Sequence, residues 1–396
     1  IDTIFSCSSK LGIDISKFKH DYCIINENGE CIHQASITND IEGFNSLLLF
    51  LNSLDITETK RIGFEATGHY GSNLKRFLDS KDLDYMEINP LLLKEFSKSL
   101  SLRRTKTDKK DASTIALYLS SHQYVPYPNK AYHMECLKSL ARTRENLVKE
   151  RSKQLVSITN ALDKMFPEFK IFFNGSLKSA SCMYLLHEYK TPSKMSRMNI
   201  ESYNKMKSEL RNPISYAKFS KLRELAKKTV GTEDSIILIE LNVHLAIYDE
   251  LNKQIELIES ILEEEMSNIH SHIMSIKGVG LVYGSGIIAE IGNVNRFRSS
   301  SALLAYAGLE PSNNDSGTHC GQGKMVKHGS SYLRMHLIRL AETVLPHNSL
   351  LYDYYKKKRN EGKAHNVALS HVAKKLVRII YTLETRDIDF DISKMR

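Results

Sequence analysis

Only six cysteines occur in the 396 residues, Cys7, Cys23, Cys31, Cys136, Cys182 and Cys320, and no two form a CxxC pair. Neither a disulfide framework nor a cysteine zinc site is signalled, which fits a reducing cytoplasm. Long apolar runs are missing too. No stretch reaches the roughly 18 residues of a membrane span, so a membrane partner is not expected. The start lacks a signal-peptide pattern, and because it begins at Ile1 rather than Met a few N-terminal residues are expected to precede it. A phosphate loop is absent: Gly317 is followed by five residues before Gly323-Lys324-Met325, a spacing that fails the nucleotide-binding rule. Acid is in short supply, 46 Asp and Glu against 55 Lys and Arg, giving +9 and favouring a polyanionic partner such as nucleic acid.

What is present begins with Lys10 to Lys17. Leu11, Ile13 and Ile15 alternate with Gly12, Asp14 and Ser16, predicting a strand that turns Asp14 away from its apolar face. A carboxylate on a central strand is a common platform for Mg²⁺. Two further β-prone runs flank Asn28-Gly29, a hairpin signal, and Asn39-Asp40 caps a helix from Ile41 to Leu54. Arg61 to Glu65 reads as a buried strand ending in a second carboxylate, followed by a helix to about Asp79 and a strand over Asp84 to Ile88. The order β-β-β-α-β-α-β-α is that of a ribonuclease H-like domain. Thr107 then caps a helix to about Ser120 that carries Asp108 and Asp111 at i and i+3 on one face. An ordinary N-terminal turn favours acids there as well. It does not account for the surrounding Arg103, Arg104, Lys106, Lys109 and Lys110, a basic rim suited to a phosphate backbone beside Mg²⁺.

Pro126 and Pro128 mark a linker, and Met134 to Met165 reads as a charged helix ended by Pro167. Residues 168–230 lack clear periodicity and read as a short mixed insertion. From Asp234 to Met266, Leu241, Tyr248, Ile255 and Leu262 repeat by seven, an a/d seam predicting a coiled-coil hairpin or a dimer contact. Lys277-Gly-Val-Gly280 between two short helices resembles a helix-hairpin-helix that grips phosphates, with a simple helix-helix turn as the alternative. Beyond an apolar helix over Ser301 to Leu309, a polar Gly-rich loop holds Ser316, with Lys324, Lys327 and Arg334 downstream. Serine there suits an exposed nucleophile near cations, or a turn former.

Taken together, Gly12-Ile-Asp-Ile-Ser-Lys17, Phe64-Glu-Ala-Thr-Gly-His-Tyr70, Lys106-Thr-Asp-Lys-Lys-Asp-Ala112, and Ala307-Gly-Leu-Glu-Pro311 through Ser316-Gly317 to Lys327-His-Gly329 and Leu333-Arg334 resemble the DEDD insertion-sequence transposases with a catalytic serine. These are the bridge-RNA-guided recombinases of the insertion sequence one-ten type. The resemblance implies three regions: a RuvC-like N-terminal α/β domain over residues 1–125, a helical coiled-coil and linker region over 126–270, and a mainly α C-terminal transposase domain over 271–396. It implies Asp14, Glu65, Asp108 and Asp111 as a Mg²⁺ tetrad and Ser316 as nucleophile. Nucleic-acid contacts are expected from Arg103, Arg104, Lys106, Lys277, Lys324, Lys327 and Arg334. Implied partners are donor and target DNA, a noncoding bridge RNA and further copies of the chain in a homodimer or homotetramer, at work in a prokaryotic cytoplasm on the nucleoid. Insertion 168–230 is longer than a minimal member needs.

Two other classes compete with a recombinase. A hydrolytic ribonuclease H-like nuclease or Holliday-junction resolvase uses the tetrad and water, leaving Ser316 without chemistry. A silent nucleic-acid-binding protein uses neither, and the full set of acids counts against it.

Overall fold

The computed structural model describes residues 9–53, 61–66, 69–100, 108–124, 131–310, 315–316, 319–320 and 325–394. They fall into two compact units, one made of 1–136, 272–279 and 287–396, the other of 137–271 and 280–286. Among the described residues no helix is long and apolar enough to cross a membrane.

The first unit opens with β1 (Lys10–Ile15), β2 (Lys19–Ile25), β3 (Cys31–Thr38), α1 (Ile41–Ser53), β4 (Arg61–Glu65), α2 (Ser72–Ser80), β5 (Tyr85–Ile88), α3 (Pro90–Leu100) and α4 (Asp108–Ser121). This is the expected order with one addition, α3, ahead of α4. The sheet runs β3-β2-β1-β4-β5, with β1 antiparallel to β2 and parallel to β4. The β2–β3 turn closes on Asn26, which receives Gly29 N at its carbonyl and Glu30 N at Oδ1. Gly29 alone in that turn has positive φ, +79°.

Period-two alternation sorts the sheet into two faces. Leu11, Ile13, Ile15, Tyr22, Ile24, Ile62 and Phe64 pack with Phe44, Leu47 and Phe77 of α1 and α2. The other face is cut low for a helix. Gly12 sits opposite Gly63 in the β1–β4 pair, and α4 lies over both. A Cβ on Gly12 would stand 2.3 Å from Ala112 O and 2.4 Å from Ala116 N, and one on Gly63 would meet Leu119. We expect Gly12→Ala to lift α4 from the sheet, lowering stability by about 3 kcal/mol, the upper range for overpacking. Denaturant midpoints of the two proteins check this; equal midpoints would mean the helix is not seated as described.

The second unit is a long hairpin of α5 (Ala131–Met165) and α11 (Ser235–Ser267), with α6 (Pro167–Phe172), α7 (Ala180–Glu188), α8 (Pro192–Ser196), α9 (Ile200–Glu209) and α10 (Tyr216–Lys227) between them. The reading of 168–230 as a mixed insertion is therefore corrected: the segment is a cluster of short helices. Their apolar sides, including Phe169, Leu185, Met206, Phe219 and Leu222, share one core with Leu162, Leu241 and Leu245. Each helix is too short to show a periodicity. Four of them nonetheless start on a side-chain cap, Ser179, Thr191, Asn199 and Ser215.

The seam of α11 is closed within the chain. Arg144 bonds Glu259, Arg151 bonds Asn252 and Gln154 bonds His244, so α5 and α11 run antiparallel. Ile255 and Leu262 are 3% and 1% exposed in this single chain. Ile255→Asp should therefore cost about 3 kcal/mol or more through an unpaired buried charge, without lowering the particle mass. Sedimentation read beside thermal melting checks it, since a drop in mass with an unchanged melt would make the seam intermolecular.

The C-terminal part of the chain holds α12 (Leu281–Ile291), of which the first unit includes residues from 287 on, and then, within that unit, α13 (Ser300–Tyr306), β6 (Asp315–Ser316), β7 (His319–Cys320), α14 (Ser331–Val344), α15 (Ser349–Asn360) and α16 (His365–Arg386). Ahead of α12 stands a single 3-10 turn, His272–Ser275. The first of the two short helices expected around Lys277 is thus a 3-10 turn of four residues. Helix α16 is the core of this part: Val372, Ala373, Leu376, Val377 and Ile380 are fully buried, packed against α13, α14 and α15.

Candidate active site

The geometry of the acids follows from register. The β1–β4 pairing ends with Ile13 beside Phe64, and the next residue on each strand is Asp14 and Glu65. Since Ile13 and Phe64 belong to the apolar face, Asp14 and Glu65 belong to the face that α4 covers. Helix α4 runs antiparallel to β1. Near its end Leu119 O accepts from Arg61 Nη1 at the start of β4, while Ala112 and Ala116 lie on Gly12 in mid-strand. One turn earlier the helix backbone at Asp108 and Asp111 lies toward the strand ends that carry Asp14 and Glu65.

Side-chain bonds fix this placement. Ser113 Oγ accepts from Gln34 Nε2 at 3.3 Å, and Tyr124, just past α4, donates to Asp84 O at 3.0 Å and Ile62 O at 3.3 Å. Burial pushes the Tyr124 hydroxyl up to about 12, so it stays a donor. Below Ala112, burial pushes the Cys23 thiol up to about 11, which leaves it a neutral thiol rather than a metal ligand.

A third strand adds an acid that sequence reasoning missed. Asp21 on β2 is the direct partner of Asp14 across the antiparallel pair, and a direct pair shares a face. It is 2% exposed, bonded to Lys19 Nζ at 2.8 Å and to Ser36 Oγ. The signal was the short Ser16–Phe18 connection, which sets the register once both strands are assigned. Asp14, Glu65 and Asp111 are each half-buried. Among the described residues they do not form a group whose ligand atoms all lie within 4.8 Å of one another.

The serine lies elsewhere in the same unit. Ser316 on β6 pairs with His319 on β7. The base of its loop is zipped shut: Val326 N bonds Glu310 O at 2.9 Å, Lys327 N bonds Gly308 O at 3.3 Å and Ser330 N bonds Tyr306 O at 2.8 Å. Close approach makes glycine necessary at Gly308 and Gly329, both at positive φ, where a Cβ would stand 2.3 Å from His328 O and 2.1 Å from Tyr306 O. Arg334 Nη1 donates to Ala307 O and Lys327 O, clamping the two sides together. Ser330 Oγ accepts from Leu333 N at the start of α14 and donates to the buried carboxylate of Glu290 at 2.8 Å.

Of the expected residues, Asp14, Glu65 and Asp111 are brought to one end of one sheet face, with the backbone of Asp108 in the same helical turn. Lys277 and Lys327 are exposed, Lys327 at a φ of +56°, and Arg334 is occupied in closing the loop. Arg103, Arg104, Lys106 and Lys324 lie outside the described residues, as does the capping residue Thr107.

Comparison with known proteins bears on both ends of the chain. A DEDD-type model of the IS110 group, described as a transposase, matches residues 11–167. A model described as a transposase of the IS116/IS110/IS902 family matches residues 270–356. Together they cover more than half of the sequence. Over 394 residues the chain is 24% identical to the mini-circle protein of IS117 from Streptomyces coelicolor, covering 95% of this chain and 94% of that one. It is 24% identical over 385 residues to the transposase for insertion sequence element IS1111A of Coxiella burnetii, covering 95% and 89%. A shorter similarity, 34% over 149 residues, links 36% of the chain to 45% of the pilin gene-inverting protein of Moraxella lacunata.

Proposed function

The chain belongs to the IS110/IS116 family of insertion-sequence transposases, and from this we propose that it cuts and exchanges DNA strands through a covalent phosphoserine at Ser316. The observation that carries the proposal is the seating of α4 across Gly12 and Gly63, which sets Asp111 at the strand ends bearing Asp14 and Glu65. Acids gathered toward one end of a sheet repel one another unless a cation is held near them. Asp14, Glu65, Asp108 and Asp111 offer only hard oxygen donors, a set that fits Mg²⁺. Bound there, Mg²⁺ supplies neutralisation of the scissile phosphate and of the leaving oxygen.

The residues of the chain account for the rest. Ser316 Oγ attacks phosphorus, the P–O3′ bond breaks, and the departing 3′ oxygen takes up a proton as the serine gives one up. The phosphoester keeps the bond energy, so a 3′ hydroxyl of another strand rejoins by the reverse step without a high-energy cofactor. The zipped loop base holds Ser316 on a fixed stem, and the flanking Lys324 and Lys327 draw the phosphate in. We take the serine and the tetrad to meet from different copies in a homodimer or homotetramer, and a noncoding bridge RNA to choose donor and target DNA.

The test is a joining assay with purified protein, Mg²⁺, donor and target DNA and the RNA transcribed from sequence flanking the gene. Joined product should need the RNA, and altering its target-pairing segment should move the junction. Joining that proceeds equally without RNA would remove the guide. Simple hydrolytic breaks with no joints would favour the resolvase-like alternative.

A further inference from the structure

The last two helices carry a charge excess that the site above does not use. Residues 349–386 hold nine Lys and Arg against three Asp and Glu, two-thirds of the whole chain's excess of +9. The residues beyond 356 also lie past the family match, which ends there. Helices α15 and α16 bring these cations together. Lys358 and Lys375, one from each helix, stand 5.6 Å and 4.0 Å from the ring centre of Tyr354. On α16, His371, Lys374, Lys375 and Arg378 follow helical spacing on the side opposite the buried Val372, Leu376 and Ile380. Lys356 lies over the exposed ring of Tyr352 at 4.4 Å.

Like charges this close cost free energy in the free protein. Burial, then the nearby Lys374, Lys358 and Lys363, hold His371 below its ordinary value. Burial and Arg378 do the same to Lys374. Glu361 pairs with Lys358 at 2.7 Å and also offsets Lys357 and Lys363, one carboxylate among these cations. A polyanion laid along the two helices relieves that repulsion and releases its counterions.

We infer that the α15–α16 face, through Lys358, Lys363, Lys374, Lys375 and Arg378, is a binding surface for the sugar–phosphate backbone of duplex DNA. Lys363 and Arg378 are exposed and Lys358, Lys374 and Lys375 half-buried, mostly ammonium point charges that suit phosphates, so the contact positions DNA rather than selecting sequence. Helix α16 packs on α13 and α14, the two helices that bracket the Ser316 loop. The surface therefore holds the duplex as it leaves the reacting phosphate. This inference rests on the proposed action on DNA.

The experiment measures binding of the full-length protein to a random-sequence DNA duplex by fluorescence anisotropy across a salt series. The triple variant Lys363→Gln, Lys374→Gln, Arg378→Gln should bind at least roughly tenfold more weakly at moderate salt, with a log–log salt slope shallower by about three. Replacing Lys363 and Lys374 by Arg should retain wild-type affinity, which separates charge from damage to the fold. A triple variant with wild-type affinity and slope overturns the inference. So does a loss confined to an RNA duplex of the same length. A wild-type protein that binds no duplex DNA overturns both this inference and the proposed function, whereas an unaltered triple variant overturns this inference alone.

Discussion

Wild-type protein with Mg²⁺ and its nucleic acids should yield a protein–DNA adduct that survives denaturation, and Ser316→Ala should yield none. A serine that forms the covalent bond cannot be replaced by a methyl group, so strand exchange should fall roughly 10⁴-fold or more, the scale on which removal of a covalent nucleophile is felt. Binding of DNA should change by no more than about twofold, because affinity comes from phosphate contacts by Lys and Arg rather than from one hydroxyl. Ser316→Cys should keep a trace of adduct, since a thiolate is nucleophilic but poorly matched to hard Mg²⁺ chemistry. The readout is a denaturing gel with end-labelled DNA beside an anisotropy titration. Cutting at the normal rate by Ser316→Ala, with no adduct in wild type, makes water the nucleophile and Ser316 a turn residue.

The site was legible to different depths at its two ends. Alternation in Lys10–Ile15 and Arg61–Glu65 sufficed to set Asp14 and Glu65 off the apolar face, because period two admits only two faces and Leu11, Ile13, Ile62 and Phe64 claim one of them. The i,i+3 acids put Asp108 and Asp111 on one side of a helix. What brings helix and strands together, Gly12 beside Gly63 under Ala112, Ala116 and Leu119, was not readable. A glycine in a strand announces close approach without naming what approaches. Asp21 was missed for a related reason: its pairing with Asp14 depends on register, which belongs to the turn rather than to either strand.

In the second unit the limits were different. The heptad of Leu241, Tyr248, Ile255 and Leu262 gives a face and no partner, so hairpin and dimer remained equal until Arg144 and Glu259 placed α5 against it. Residues 168–230 defeated periodicity because helices of 5 to 12 residues are shorter than the window it needs. Caps were the better guide there. Asn199 and Ser202 form a reciprocal capping box, a local signal independent of helix length. Arg334 teaches the opposite lesson. Its charge beside a Gly-rich loop suggested a phosphate contact, while its guanidinium closes over the carbonyls of Ala307 and Lys327.

Asp14 and Asp21 face each other across one strand pair, yet their replacement by Asn should have opposite consequences. Asp14 is half-buried at the strand end beside Glu65. In the proposed Mg²⁺ site, loss of its charge removes a ligand while easing repulsion among the remaining acids, so stability should hold or rise slightly. Cleavage should fall on the order of a thousandfold, since neutralising charge at a transferring phosphate is worth several kcal/mol and each 1.4 or so is a factor of about ten. Asp21 is nearly fully buried and satisfies Lys19 and Ser36. Asp21→Asn should cost about 1–3 kcal/mol of stability by disturbing those bonds, with a smaller loss of cleavage. Thermal melting with and without Mg²⁺ separates the two, because a cation that binds only the folded protein raises its midpoint. That rise should vanish in Asp14→Asn and in Asp111→Asn and persist in Asp21→Asn. If Asp14→Asn keeps both the Mg²⁺-dependent rise and normal cleavage, the acids at this sheet end are structural and the metal lies elsewhere.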